Sequence, residues 1–176
     1  GDPVLKEGNL LTNVLNRLAR SCFYTSQKYY DGRIPAGKIS GSVLQESRET
    51  ILEYERLMYR YEFHNVMSLM DTYIRNANKY WASGMKEVRD KDDSDLRMQI
   101  VVDAFHMLRT SIVLMHPIAP EGTEMVRGYL NFRKEFWDWS RIFDTVYDFM
   151  DQPEGHKLKT LEPRVDFFSK HPSQLK

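Results

Sequence analysis

The sequence predicts an all-α fold, an antiparallel helical bundle, on three observations. Apolar residues recur at helical spacing along most of the chain. No stretch of useful length alternates apolar and polar residues as a half-buried strand does. Pro35, Pro117 and Pro120 fall at the joints between the periodic stretches. At 176 residues, 41% of them hydrophobic, the chain has material for one core without disulfides or metals.

The first helix opens with Asp2 as a cap and Pro3 at the first helical position. It continues through Leu11, Val14, Leu15, Leu18 and Cys22 and stops at Asp31-Gly32, and residues 33–41 read as a loop. A second helix is expected from Ser42, where Ser42 and Gln45 have capping-box spacing, through Ile51, Tyr54, Leu57 and Met58 towards Tyr61. The pattern restarts in a shifted phase after Tyr61-Glu62-Phe63-His64, and Val66, Leu69, Met70, Tyr73, Ile74, Ala77 and Trp81 mark the third helix. Residues 83–94, with Lys91-Asp92-Asp93, read as a solvated connector. The fourth helix carries Leu96, Ile100, Val101, Ala104, Phe105, Leu108 and Ile112 up to Pro117, and Pro120 opens a fifth that ends near Leu130. The aromatic stretch 136–150 reads as helical. The expected division is a helical bundle over 1–150 and a C-terminal basic tail over 151–176, packed on the bundle or on a catalytic domain outside this chain. Val66, Leu69, Tyr73 and Ile74 should be buried with Ile100, Ala104, Phe105 and Leu108.

Charge and motifs narrow the function. The formal net charge is zero, which argues against a strongly basic, non-specific nucleic-acid binder and against DNA as a partner. Residues 155–176 nevertheless carry +3, balanced by −3 before them. Cys22 is the single cysteine, so intrachain disulfides and a zinc knuckle are excluded, and a reducing, cytoplasmic setting is expected. No apolar run approaches the ~20 residues of a membrane span, and no signal-peptide pattern opens the chain. His64, His106, His116, His156 and His171 lack metal-ligand spacing, and there is no phosphate loop or nucleophile elbow. No catalytic residue, metal site or resident cofactor is therefore expected, and His106 reads as a core histidine. Binding is the expected work.

One polar face stands out. At ~100° per residue, Asn9, Asn13, Asn16 and Arg20 of the first helix fall within about 40° of one direction, with Arg17 at its edge, opposite the apolar stripe. Three amides and two guanidiniums in one stripe suit base edges and phosphates, although a plain solvated face has the same composition.

Five segments in order resemble the anticodon-binding domain of methionyl-tRNA synthetases, class I enzymes. Thr12-Asn13-Val14-Leu15-Asn16-Arg17 resembles the family's Gly-Asn-Leu-Leu-Asn-Arg, and the segment from Lys28 to Pro35 its Lys-Tyr-Phe-Asp-Gly-x-x-Pro. Asn76-Ala77-Asn78-Lys79-Tyr80 and the segment from Leu114 to Glu121 are similar to Ala-Asn-Lys-Tyr and Leu-x-x-Pro-x-x-Pro-Glu. Gly155-His156-Lys157, then Pro163-Arg164-Val165-Asp166, match Gly-His-Lys and Pro-Arg-Ile-Asp. The resemblance implies a bundle of that family's type that binds tRNA, methionine tRNA first. The catalytic domain of the same parent chain, outside these residues, would attach methionine with ATP and magnesium. The family's catalytic signatures are absent here, and the helical start at Asp2 reads as that of an excised domain. In the family an Asn and an Arg four residues apart on the first helix contact anticodon bases. Asn13 with Arg17 fits by motif, and Asn16 with Arg20 fits by distance to Asp31-Gly32; both pairs stay open. Where the family has a Pro-Trp whose indole stacks on the anticodon, this chain has Met85-Lys86-Glu87. A stack supplies ~1–3 kcal/mol per base, so its loss counts against tight, cognate reading. Trp81, nearby, belongs to the apolar stripe. The alternatives are the same domain from a valyl-, isoleucyl-, leucyl- or cysteinyl-tRNA synthetase, or a helical protein-interaction domain.

Overall fold

The computed structural model of the chain describes residues 8–152 and 154–169, so Asp2 and Pro3, the expected start of the first helix, lie outside the described residues. A π-helical turn, Leu10–Leu15, runs directly into helix α1, Asn16–Tyr29. The Asn16 N–H donates to the Leu11 carbonyl, five residues back, which is the π pattern. α1 stops at the expected place: Asp31 and Gly32 take left-handed backbone, and the N–H groups of Tyr30 and Gly32 both donate to the Ser26 carbonyl. Helices α2 (Gly41–Tyr59), α3 (Phe63–Lys91), α4 (Ser94–Met115) and α5 (Pro120–Leu130) follow. Two-residue strands β1 (Arg33–Ile34) and β2 (His156–Lys157) pair antiparallel and form the sheet among the described residues.

Helix α4 is the axis of the bundle. Every residue from Ile100 to Met115 is buried, and α1, α2, α3, α5 and β1 all pack against it. By length and composition α4 could cross a membrane, but its apolar window is 89% covered by the rest of the fold. The expected core assembles around it: Val66, Tyr73, Ile74, Ala104, Phe105 and Leu108 share one cluster, with Leu69 half-buried at its edge. Ile100 is buried apart from that cluster, in the crossing of α3 and α4, where a Cβ on Gly84 would collide with it.

Two charged side chains on this dry helix organise the loops. The Asp103 carboxylate accepts from the Ser40 N–H (2.8 Å), the Ser40 hydroxyl (2.7 Å), the Gln99 amide and the Tyr80 hydroxyl. Burial, and then the bond to Asp103, push the Tyr80 hydroxyl's pKa up. Arg109, fully buried, donates to the carbonyls of Ile142 (2.6 Å), Asp144 (2.7 Å) and Arg141 (2.7 Å). Burial pulls its pKa down to about 10, so it stays charged at neutral pH.

These contacts explain where the fold departs from the expectations. α2 begins at Gly41 behind Ser40, not at Ser42, and Ser40 spends its hydroxyl on Asp103 instead of on the helix end. The expected connector 83–94 is largely helix. Its exposed charges support α3 through pairs such as Glu87–Lys91 (2.7 Å), and Val88 gives it a buried contact. The break comes at Asp92, with φ 49°, and Asp93 caps α4 by accepting from the Leu96 N–H (3.0 Å). The stretch 136–150 is three short 3-10 turns, Lys134–Trp137, Trp139–Arg141 and Val146–Phe149, not a continuous helix. Arg109 holds inward three carbonyls that an α-helix would have kept for its own ladder.

Arg109→Leu should lower unfolding stability by ~3–5 kcal/mol in urea denaturation, because it leaves three carbonyls without a donor. His106, 3% exposed, has its pKa lowered from 6.5 to about 4, first by burial and second by the Arg109 charge. Above pH 6.5 both states carry the neutral ring. As pH falls the unfolded state takes the proton first, so stability drops between pH 6.5 and 4, by roughly 3 kcal/mol in all. His106→Gln should remove that part of the slope of stability against pH.

Candidate functional site

The polar side of the first helix splits into two faces. Asn9, Asn13 and Arg17 are exposed, the Asn13 amide donating to the Asn9 side chain. Arg17 makes no hydrogen bond or ion pair among the described residues. Asn16, by contrast, is 1% exposed. Its Oδ1 accepts from the N–H groups of Phe167 (3.0 Å) and Phe168 (3.2 Å), and its Nδ2 donates to the Phe168 carbonyl (3.1 Å). Arg20, half-buried, donates through Nε to the Val165 carbonyl (3.1 Å) and pairs with Asp166.

The two bonded residues begin a longer rail. The Tyr24 hydroxyl donates to the Glu162 carbonyl (2.7 Å), and Gln27 exchanges hydrogen bonds with the Leu161 backbone. Residues 16, 20, 24 and 27 lie one turn apart on a single face. Residues 158–168 therefore run antiparallel along α1 as a strap, from Leu158, whose N–H donates to the Gly32 carbonyl, to Phe168 beside Asn16. Its end is wedged. Phe167 packs against Phe23 and Tyr129 at 5.8 and 5.7 Å between ring centroids, and Phe168 occupies the space that a side chain on Gly122 would fill.

This geometry corrects the expectation that Asn13, Arg17, Asn16 and Arg20 would share one solvent-accessible stripe. The projection assumed α-helical turns throughout. A π turn advances less per residue, which brings Arg17 into line with Asn13 and swings Asn16 and Arg20 round to the strap. The strap-holding roles of Tyr24 and Gln27 went unread in the sequence, although their spacing from Arg20 was the available signal.

Other features carry less. Trp81 is half-buried against the core cluster. Met85-Lys86-Glu87 lies inside continuous α3, with Lys86 and Glu87 exposed. Among the described residues no three His, Cys, Asp or Glu side chains are grouped to hold a metal. The Cys22 thiol is buried, which pushes its pKa up.

No protein-family model matches the chain. Its sequence relatives include the methionine–tRNA ligase of Bacillus subtilis, 29% identical over 171 residues, covering 90% of this chain and 24% of that protein. That of Bacteroides fragilis is 23% identical over 164 residues, covering 89% and 23%. The chain thus spans about a quarter of the length of these curated relatives. In structure it is similar to Mycobacterium tuberculosis methionyl-tRNA synthetase bound by methionyl-adenylate, with TM-score 0.73 at 16% identity over 89% of this chain and 31% of that one. The ligand-free form of that enzyme gives the same score over 90% of this chain. Sequence and fold similarity thus lead to the same enzymes, and the chain resembles a portion of them.

Asn16→Ala should strip the Phe167 and Phe168 N–H groups of their acceptor, costing ~1–3 kcal/mol. Hydrogen exchange should then quicken at residues 165–168 while amides of α4 keep their protection. Unchanged exchange at 165–168 would show that Asn16 does not hold the strap.

Proposed function

We propose that this chain is the tRNA anticodon-binding domain of a methionine–tRNA ligase or a close paralogue. In this reading a catalytic domain outside these residues uses ATP and magnesium to attach methionine, and the chain by itself holds methionine tRNA in the cytoplasm without catalysing the transfer. The observation that carries the reading is the exposed Asn13–Arg17 pair, within the motif segment of the first helix. Similarity to methionine–tRNA ligases over most of the chain supports it.

The division of the polar stripe assigns roles. Asn13 and Arg17 face solvent and contact the loop, whereas Asn16 and Arg20 are engaged and hold the strap. The Asn13 amide offers both a donor and an acceptor to a base edge, and the Arg17 fork suits a base edge or a phosphate. Arg17 has no intramolecular partner among the described residues, so its bond to RNA displaces only water there. With α3 unbroken through Met85-Lys86-Glu87, no indole stands at the family's stacking position, and recognition rests more heavily on hydrogen bonds.

Binding of the chain to matched tRNAs that differ only in the anticodon tests this. Arg17→Ala should weaken binding to the methionine anticodon by ~1–3 kcal/mol and narrow the preference among tRNAs. Arg20→Ala should leave that preference intact. If Arg17→Ala and Asn13→Ala bind every tRNA as the parent chain does, this face is not the anticodon site.

A further inference from the structure

At the opposite end of α1 from Asn13, a cleft of ≈ 470 Å³ opens between the β1–β2 pair and the segment after α5. Arg33, Lys157 and Arg133 line it, and Asp151 is the one carboxylate among its lining residues. Arg33 and Lys157 stand directly opposite each other in the strand pair. Like charges in that position destabilise a ribbon unless an anion lies between them.

The three cations are held differently. Lys157, at the cleft's edge, lies over Gly32 and donates one N–H to the Asp31 carbonyl (2.7 Å), so an ammonium with three donors is not saturated. The Arg33 side chain lies alongside Gly155, whose φ of 125° is one that glycine adopts readily. Its guanidinium has no hydrogen bond or ion pair among the described residues. Arg133 pairs with Asp151 at 2.7 Å and lies 4.0 Å from Glu135, but the Arg133 and Asp151 side chains are 69% and 80% exposed, and such surface pairs exchange readily for a better anion. Beside them the His156 ring, stacked on Phe132 at 4.2 Å and donating through Nε2 to the Leu130 carbonyl, makes a stiff wall.

We infer that this cleft seats a phosphodiester of the RNA backbone, a contact distinct from the loop contacts of Asn13 and Arg17. The inference rests on the tRNA-binding reading above. Twelve residues of α1 separate Arg17 from Tyr29, about 18 Å at 1.5 Å per residue, so the two sites engage separate stretches of one RNA. A phosphate contact gives affinity without sequence preference, which suits a position remote from the loop.

The test measures tRNA binding by the whole chain over a range of salt. Arg33→Gln should weaken binding to all tRNAs alike and reduce the slope of log K against log salt by about one, while Arg33→Lys largely restores both. Asp151→Asn should tighten binding, an outcome that a misfolded variant cannot produce. Pyrophosphate should displace tRNA from the parent chain better than chloride at equal ionic strength and lose that advantage in Arg33→Gln; an equal advantage in both would place the phosphate contact elsewhere and overturn the assignment. If Arg17→Ala impairs binding while Arg33→Gln and Asp151→Asn change neither affinity nor slope, the cleft inference fails and the anticodon reading stands. If the parent chain binds no tRNA, both fail together.

Discussion

From Ile100 to Met115 helix α4 has no wet face and cannot leave a polar side chain to water, and most of this fold's irregular structure answers to that constraint. Asp103 and Arg109 point into the bundle's interior, where an ion without partners costs several kcal/mol. Asp103 is satisfied by the loop before α2, and Arg109 by the carbonyls of residues 141–144. Each charge thus fixes a stretch of chain with little regular structure of its own. The bundle's shape beyond its helices is largely a record of how those two side chains were accommodated.

The first helix shows the same economy on its outer side. Its apolar stripe joins the core, one polar face grips the strap, and another stays open. A single π turn separates the last two. Without it, the amide that clamps Phe167 and Phe168 would stand only about 60° from the one that faces solvent, within one stripe. The open pair is also the one that sits in the family-like motif, which is why the proposed recognition falls there.

Much of this was legible in the residues. The stops at Asp31-Gly32 and Pro117, the restart at Pro120, and the burial of Tyr73, Ile74, Phe105 and Leu108 all followed from periodicity and backbone preference. What was not legible depended on partners far along the chain. Ser40 lies next to a good capping pattern but answers to Asp103, 63 residues away. Residues 83–91 look like a connector because their charges are solvated, yet Val88 and Gly84 are enough to dock them as helix. The aromatic stretch 136–150 lost its helix to one guanidinium on α4. The polar stripe was found but misphased, because helical projection has no way to anticipate a π turn.

The strap also sets an order of assembly. Its bonds to Asn16 join residues 151 and 152 positions apart, whereas the α3–α4 and α4–α5 packings join near neighbours in the chain. Closing so long a loop is entropically unfavourable until the helices already present a surface for it. The bundle should therefore form before the strap docks on it. Its Leu158, Leu161, Phe167 and Phe168 enter the core cluster, so the strap lifts only as one cooperative unit. Exposure of the Asn16–Arg20 face is thus an equilibrium quantity, set by how often the strap lifts.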